Sequence, residues 1–341
     1  MTEPSHSADG PLVTVVMATY DGEPWVAEAV DSILSQTWRP LELIVCDDGS
    51  HDRTVEILRS YGDQLTLIEG GHHGVAEARN TAAAAGRGSY IAFLDQDDAW
   101  EPEMLSTQVR LLEQHPRWGM VYADSWVVDR DGVVHGRRGR FLRYRSGHVF
   151  SDLIEGNFMP LETTVVRASL FHQSGGFRAH FGYLEDYDLF IRLAREMGVG
   201  FHPEPLARYR IHDRNLSHDL EALLAEWVEI LDDLERVAGP LSGDERATRD
   251  QERSLRCADL AWRALRRLDL EASDHWFAEA GSGAPWRLAM RVRVLRAILG
   301  LLPRLFQRWA VALLPRRRLY GVENRLDNPP PASNEPQHAP R

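Results

Sequence analysis

The stretch "VVMATYDGEPWVAEAVDSILSQTWRPLELIVCDDGSHDRT" (residues 15–54) decides the fold. It starts in a short apolar, β-branched run, which is typical of a buried strand. The turn "DGEP" leads into a segment with apolar residues at helical spacing, and a second apolar run, "LELIVC", then ends at two aspartates and a glycine. Strand, helix and strand in this order predict two parallel strands joined by a right-handed crossover.

The same alternation continues as far as residue 95. "HDRTVEILRSYG" and "GVAEARNTAAAAG" are helical by composition, whereas "LTLIEG" and "SYIAFLD" are strand-like. This order is typical of an α/β domain of the nucleotide-binding type. Later segments predict two strands around a turn (118–136), a helix with an acidic first turn (184–198) and a last strand (206–212).

Acidic residues follow the predicted strand ends. Asp21, Asp47, Asp48 and the sequence "DQDD" (95–98) come directly after three separate strands. In open parallel sheets ligands bind beyond these carboxyl ends, so the acids should meet at one edge. Clustered carboxylates repel one another unless a divalent cation lies between them and the phosphates of a substrate. A solvated turn is the alternative, and we expect Asp98 mainly to cap the next helix.

Composition limits the possible classes of protein. With 341 residues, 43% of them hydrophobic, the chain can form one large domain with an appendage, and a net charge of −12 argues against nucleic-acid binding. The two cysteines support no disulfide framework, and all 39 basic residues are arginine, which excludes lysine-based chemistry. No secretion signal or spanning segment is evident, so we expect a cytoplasmic location.

Several motifs together resemble glycosyltransferase family 2, the inverting transferases with the GT-A fold. They are the opening stretch, "GVAEARN", "FLDQDD", "GGF", "LEDYDLFIRL" and "YRIH", in family order over about residues 12–215. The resemblance implies an α/β, GT-A nucleotide-diphospho-sugar transferase fold, a Rossmann-like mixed sheet flanked by helices. It also implies transfer of a sugar from a nucleotide sugar, typically a UDP-sugar, to a hydroxyl of a glycan or lipid-linked acceptor in cell-surface polysaccharide synthesis.

The resemblance also implies roles for individual residues. Asp186 matches the catalytic base, with Glu185 beside it, and Asp97 matches the ligand of Mg²⁺ or Mn²⁺, with His212 as a further metal or phosphate contact. The implied nucleotide-sugar contacts are Thr19, Tyr20, Asp21, Glu23, Asp48, Arg79 and Asp95. A single carboxylate can deprotonate the acceptor hydroxyl, and one displacement then inverts the anomeric centre. The sequence departs from the family at His72 and His73, where relatives more often carry an Asn-Gly type of turn.

Each assignment has a structural alternative. Asp48 could form an Asx-turn with Gly49, and Arg79 could form a surface pair with Glu77 or another neighbour. The acids at 185 and 186 could only complement a helix dipole, and His212 could be a packed histidine. A non-catalytic nucleotide-sugar-binding scaffold is one rival function. A sugar nucleotidyltransferase is another, although "MATYDGEPW" stands where such enzymes carry a Gly-rich, basic loop.

Beyond the transferase motifs the chain is predicted to be helical and then basic. Residues 286–320 hold nine arginines and no acid, which favours helices on an anionic membrane surface at the inner face of the plasma membrane over packing on 217–280. The Arg-rich loop 137–145 is either a solvated connection or a contact for an anionic acceptor such as a lipid diphosphate. The expected divisions are a disordered tail (1–10), the GT-A domain (11–215), a helical C-terminal region (216–284), basic amphipathic helices (285–320) and a disordered Pro-rich tail (321–341).

Overall fold

The structure, a computed structural model, describes residues 10–140, 142–213, 215 and 219–281. The N-terminal tail except residue 10, the basic segment 285–320 and the Pro-rich tail lie outside the described residues. Within that described part, one mixed sheet contains β1 (Val13–Thr19), β2 (Leu41–Asp47), β3 (Thr66–Glu69), β4 (Tyr90–Phe93), β5 (Ala99–Trp100), β6 (Trp118–Val128), β7 (Val134–Arg137), β8 (Val165–Arg167) and β9 (Gly198–Arg210).

One group of helices flanks this sheet, and a second group follows its last strand in the chain. The helices flanking the sheet are α1 (Val26–Leu34), α2 (Thr54–Ser60), α3 (Val75–Ala85), α4 (Met104–Gln114), α5 (Phe150–Glu155), α6 (Ala168–Gln173) and α7 (Glu185–Glu196). Those of the C-terminal region are α8 (Leu220–Ala238), α9 (Gly243–Arg266) and α10 (Leu270–Ala280). Among the described residues, no helix combines the length and apolar character needed to span a membrane.

The parallel half of the sheet agrees with the sequence prediction. Strands β3, β2, β1 and β4 lie side by side in this order and all run parallel. The second half is mixed, because β8 is antiparallel to β4 and β6, whereas β9 runs parallel to β6. The last strand begins at Gly198, earlier than predicted. The prediction missed the segment before Leu206 because it contains two prolines and few apolar residues, which is not typical of a strand.

Successive side chains of β1 point to opposite faces of the sheet, and each face is covered by a separate hydrophobic core. Val16 points into a core shared with α3, α5, α6, α7 and α8, whereas Val15 and Met17 point into the core beneath α1, α2 and α4. Helix α8 contributes Ile230 and Leu234 to the first core, and its opposite face packs on α9 and α10. The helical C-terminal region is therefore continuous with the interior of the sheet domain, because α8 is shared between them.

Candidate active site

A cleft of about 1180 Å³ opens at the carboxyl ends of β1 and β4. Its lining includes the predicted site residues Thr19, Tyr20, Asp21, Asp48, Arg79, Asp95, Asp97, Glu185, Asp186 and His212. Glu23 instead lines a neighbouring depression with His51 and Asp52, and its Oε2 accepts a hydrogen bond from the backbone N–H of Arg53 at 3.2 Å. The topology thus brings together residues that lie far apart in the sequence.

The tips of β1 and β2 are joined by hydrogen bonds to Asp47. Its Oδ2 accepts the hydroxyl of Thr19 at 2.8 Å, and its Oδ1 accepts the backbone N–H groups of Gly49 and Ser50 at 3.1 and 2.9 Å. The Asx-turn considered for Asp48 is therefore formed by Asp47 instead. The buried carboxylate of Asp48 accepts two other backbone N–H groups, at 2.7 and 2.8 Å, from residues 73 and 74 at the start of α3.

Tyr20 is exposed at the rim of the cleft, and its backbone is fixed by Gln96. The side-chain amide of Gln96 accepts from the N–H of Tyr20 at 2.9 Å and donates to its carbonyl at 2.8 Å. The Tyr20 ring lies 4.9 Å from the ring of His72, one of the two histidines that depart from the family pattern. Sequence reasoning missed Gln96, although it stands inside the "DQDD" motif.

Arg79 joins two of the predicted site carboxylates. It projects from α3 and is buried, and its guanidinium donates to Asp95 Oδ1 at 2.5 Å and to Glu185. The surface pair with Glu77 considered from the sequence is therefore wrong. Burial opposes the charged form, yet the two carboxylates raise the pKa of Arg79 above its ordinary value. Arg79 thus connects the strand-end acid to the helix that carries the predicted base.

Asp186 lies half-buried in the first turn of α7. Its Oδ1 accepts from the backbone N–H of Tyr187 at 2.6 Å, and the amide of Asn157 lies 3.4 Å from its Oδ2. Burial, and next the negative charge of Glu185, raise the pKa of Asp186 to about 7. A carboxylate with this pKa can both accept and release a proton near neutral pH, as a general base must.

Glu226 of α8 stabilises the loop that leads into α7. Its carboxylate accepts backbone N–H groups from Gly182, Tyr183 and Leu184 at 2.8, 2.9 and 2.9 Å. These donors directly precede the helix, where backbone N–H groups lack intrahelical partners and a negative charge is favoured. A residue of the C-terminal helical region therefore helps to place Asp186.

Asp97 and His212 are in direct contact within the cleft. Oδ2 of Asp97 lies 2.8 Å from Nε2 of His212, whose ring stacks on Trp25 with 4.2 Å between centroids. The described residues contain no group of three or more His, Cys, Asp or Glu side chains placed to hold a metal ion. Mg²⁺ and Mn²⁺ in nucleotide sites are commonly held by only one or two protein oxygens together with the substrate phosphates. The half-buried Asp97 carboxylate, with His212 beside it, fits that arrangement.

The expectation that Asp98 caps a helix is wrong. The short strand β5 follows it immediately, and α4 begins only at Met104. Asp98 is buried, and its Oδ1 accepts the backbone N–H of Arg210 at 2.8 Å. Burial and the neighbouring charge of Asp97 raise its pKa well above the ordinary value. The side chain of Arg210 also donates to the carbonyl of Asp97 at 2.8 Å. Arg210 therefore stabilises the turn that contains both Asp97 and Asp98.

The Arg-rich loop is partly built into the wall of the cleft. Arg138 pairs with the buried Glu162 at 2.9 Å and lies over the ring of Tyr209 at 4.4 Å, and Arg145 pairs with Asp152 at 2.9 Å. From the sequence, both arginines were considered only as members of the Arg-rich loop, and no partner was predicted for either of them. A simple solvated connection, one of the two readings of this loop, does not describe Arg138.

Comparisons with known proteins identify the family of this chain. The family model described as glycosyl transferase family 2 matches residues 14–179. EpsE of Bacillus subtilis, whose name assigns it to the glycosyltransferases, is 30% identical over 217 residues, which are 60% of this chain and 74% of EpsE. An uncharacterized glycosyltransferase of Rickettsia typhi is 27% identical, with 64% of this chain and 69% of that protein covered.

Solved structures share the fold at low sequence identity. TarS of S. aureus in complex with UDP has a TM-score of 0.61 at 16% identity and covers 88% of this chain and 89% of that one. Mannosyltransferase PcManGT from Pyrobaculum calidifontis, in complex with GDP-Man and Mn²⁺, has a TM-score of 0.56 at 19% identity, with 89% and 84% covered. The fold is that of the GT-A transferases. The chain belongs to glycosyltransferase family 2, and the family and fold predicted from the sequence are confirmed.

Proposed function

We propose that this glycosyltransferase is an inverting, metal-dependent enzyme that transfers a sugar from a UDP-sugar to a hydroxyl of a glycan or lipid-linked acceptor. The observation that carries the proposal is Asp186, a carboxyl group with a pKa of about 7 in the same cleft as the strand-end acids Asp95 and Asp97. The expected role in cell-surface polysaccharide synthesis rests on the family resemblance.

Residues at the tips of β1 and β2 would bind the nucleotide. The exposed ring of Tyr20 offers a face for a base, and the cleft next to it is lined by Thr19 and Asp48. A UDP donor is supported by TarS, whose solved structures include complexes with UDP and UDP-GlcNAc. The Asp95 carboxylate, which accepts a hydrogen bond from Arg79, would accept further hydrogen bonds from the hydroxyls of a ribose.

Asp97 and His212 would hold Mg²⁺ or Mn²⁺ against the diphosphate. The cation, when bound, supplies positive charge that stabilises the departing nucleoside diphosphate. Arg210 fixes the backbone of Asp97, and Trp25 fixes the ring of His212, so both groups are oriented before a donor arrives. The Mn²⁺ in the PcManGT complex supports a divalent ion, although that protein binds GDP-Man.

Asp186 would act as the base on the acceptor. Its ionised form takes the proton of the acceptor hydroxyl as that oxygen bonds to the anomeric carbon from the face opposite the leaving group. The bond from the anomeric carbon to the phosphate oxygen breaks, and the nucleoside diphosphate leaves with its electron pair. The single displacement inverts the anomeric configuration. Glu185, held by Arg79, contributes negative charge that raises the pKa of the base.

A donor panel tests this proposal. UDP-sugars are incubated with the full chain, Mn²⁺ and p-nitrophenyl glycosides as acceptors, UDP release is measured, and the anomeric configuration of any new glycosidic bond is read by NMR. Asp186→Asn and Asp97→Ala should each abolish turnover, whereas Asp250→Asn, at an exposed acid paired with Arg249, should leave it unchanged. Wild-type turnover in both site variants would contradict the assignment. The absence of any donor hydrolysis would favour a binding scaffold, and pyrophosphate release from a nucleoside triphosphate and a sugar 1-phosphate, supplied in a separate assay, would favour a nucleotidyltransferase.

A further inference from the structure

The cleft extends past Asp186 to a wall built largely by the C-terminal helices. This distal wall consists of Glu155, Gly156 and Asn157 at the end of α5, Trp227 of α8, and Glu252 and Arg256 of α9. Trp227, Glu252 and Arg256 lie outside the part of the chain that matches the family model. The strand tips proposed to bind the nucleotide lie elsewhere in the same cleft. The proposed donor contacts therefore leave the distal wall without a role.

The distal wall is continuous with the proposed base. The amide of Asn157 lies 3.4 Å from Oδ2 of Asp186, and Tyr187, the next residue in the chain, packs edge-on against Trp227 with 5.5 Å between ring centroids. The hydroxyl of Tyr187 donates to the carbonyl of Leu153 at 2.6 Å, which fixes this ring beneath the wall. A molecule bound on Trp227 would therefore lie next to the carboxylate that must deprotonate it.

The chemistry of the wall suits a sugar ring. The guanidinium of Arg256 lies 4.0 Å from the centroid of Trp227, so one face of the indole is covered and its orientation is fixed. A Cβ added at Gly156 would lie 3.2 Å from the indole, which shows how closely the bare backbone approaches the ring. A fixed indole at the surface of a cleft can pack against the C–H face of a saccharide.

The charges of the wall favour hydroxyl groups over a phosphate. Arg256 forms an ion pair with Glu252 and donates to the backbone carbonyl of Glu155 at 3.2 Å, so its positive charge is already compensated. Burial raises the pKa of Glu252, which the nearby charge of Glu155 raises further and that of Arg256 lowers. Two carboxylates against one guanidinium leave the wall acidic, and carboxylate oxygens are good acceptors for sugar hydroxyls.

We propose that the distal wall is the acceptor subsite and that it binds a saccharide. The ring of Trp227 takes the apolar face of one sugar unit, the carboxylates of Glu252 and Glu155 accept its hydroxyl hydrogens, and another hydroxyl of the acceptor is presented to Asp186. The inference rests on the proposed function, because an acceptor subsite has meaning only for a transferase. It assigns acceptor recognition to α8 and α9, where the family model does not reach.

The test measures binding of p-nitrophenyl glycosides of glucose, galactose, mannose, N-acetylglucosamine and N-acetylgalactosamine to the full chain by saturation-transfer NMR, with UDP and Mn²⁺ present. Trp227→Leu should weaken binding of the best glycoside by about tenfold, since an aromatic contact of this kind contributes near that factor. Trp227→Phe keeps an aromatic face and should restore most of the affinity. Glu252→Gln keeps the shape of the side chain and should weaken binding severalfold.

The matched control is Trp262→Leu on α9. Trp262 is buried with α8 and α10 and is not part of the cleft lining, so it reports any general loss of stability. A wild-type chain that binds no glycoside, a preference for glucose 1-phosphate over the glycosides, or equal weakening by the control would overturn the proposal. The thermal shift with UDP is recorded for every variant and should not change. If UDP produced no thermal shift in the wild-type chain, that result would count against the proposed function itself. Failure of the proposed function can therefore be distinguished from failure of the acceptor subsite.

Discussion

Oδ2 of Asp97 and Nε2 of His212 lie 2.8 Å apart, although 115 positions separate the two residues in the chain. Asp97 belongs to the turn between β4 and β5, and His212 follows the end of β9. The His212 ring stacks on the ring of Trp25, and the side chain of Arg210 donates a hydrogen bond to the carbonyl of Asp97. Both groups are therefore fixed before any ligand binds, which would lower the cost of binding the proposed cation.

Replacing His212 should weaken the metal dependence more than it weakens donor binding. We expect His212→Gln to raise the Mn²⁺ concentration for half-maximal UDP release by about 10–100-fold, because loss of a metal ligand or its orienting partner typically has this effect. Asp97→Ala should remove activity at any accessible Mn²⁺ concentration. His202→Gln, on β9 and outside the cleft, is the control. An unchanged Mn²⁺ titration for His212→Gln would show that His212 does not serve the metal.

The reaction should depend on pH through Asp186. Only the ionised carboxylate can accept a proton, and its pKa is about 7, so kcat/KM should rise with pH through that region and then level off. Glu185→Gln removes a negative charge that raises this pKa, and the acid limb should therefore move to lower pH. Glu196→Gln, exposed at the other end of α7, should leave the profile in place. An acid limb that does not move in Glu185→Gln would contradict the coupling.

Arg79 should matter for stability as well as for activity. Arg79→Met would leave Glu185, with only 8% of its side chain exposed, without its ion-pair partner. Breaking a buried pair in this way typically costs about 3–5 kcal/mol in the free energy of unfolding. Arg59→Met removes an arginine whose pair with Glu69 is largely exposed and should cost at most about 1 kcal/mol. Urea titrations of both variants make the comparison, and equal losses would refute the buried role of Arg79.

Much of the parallel half of the sheet could be predicted because its causes are local. The apolar runs of β1, β2 and β4, the helical spacing of α1 and the acids behind each strand all lie within one continuous region. Parallel order then requires Asp47 and Asp95 to lie at one edge, as the structure shows. The helical C-terminal region was likewise predictable from the apolar stripe of α8.

The remaining contacts depend on pairs that are distant in the chain. Arg79 and Glu185 are separated by 106 positions, and no periodicity in the sequence indicates that one buried guanidinium would join them. Asp98 was assigned to a helix cap because a strand of two residues, β5, has no recognisable pattern. Trp227 is indistinguishable in the sequence from the other apolar residues of its stripe, and only the packing of α8 places it in the cleft.

The basic segment 285–320 lies outside the described residues, and its membrane role stays a prediction from the sequence. We expect the full chain to float with vesicles rich in phosphatidylglycerol and a chain ending at residue 284 not to float. Raising the salt concentration should release the full chain, because arginines bind an anionic surface through screened electrostatic attraction. Equal flotation of both chains, or of neither, would remove the claim.

Glu226 should affect turnover although it stands on a helix beyond the family match. Its carboxylate accepts three backbone N–H groups, at 2.8, 2.9 and 2.9 Å, immediately before the helix that carries Asp186. Glu226→Ala leaves these donors without their partner, so we expect a loss of about 1–3 kcal/mol in the free energy of unfolding. It should also lower kcat by about tenfold or more with UDP affinity unchanged, because a displaced base impairs the proton transfer and not the nucleotide contacts. The control is Glu229→Ala. Glu229 lies on α8, like Glu226, and its ion pair with His180 is exposed. If the two variants have equal kcat values, α8 supports the fold without positioning the base.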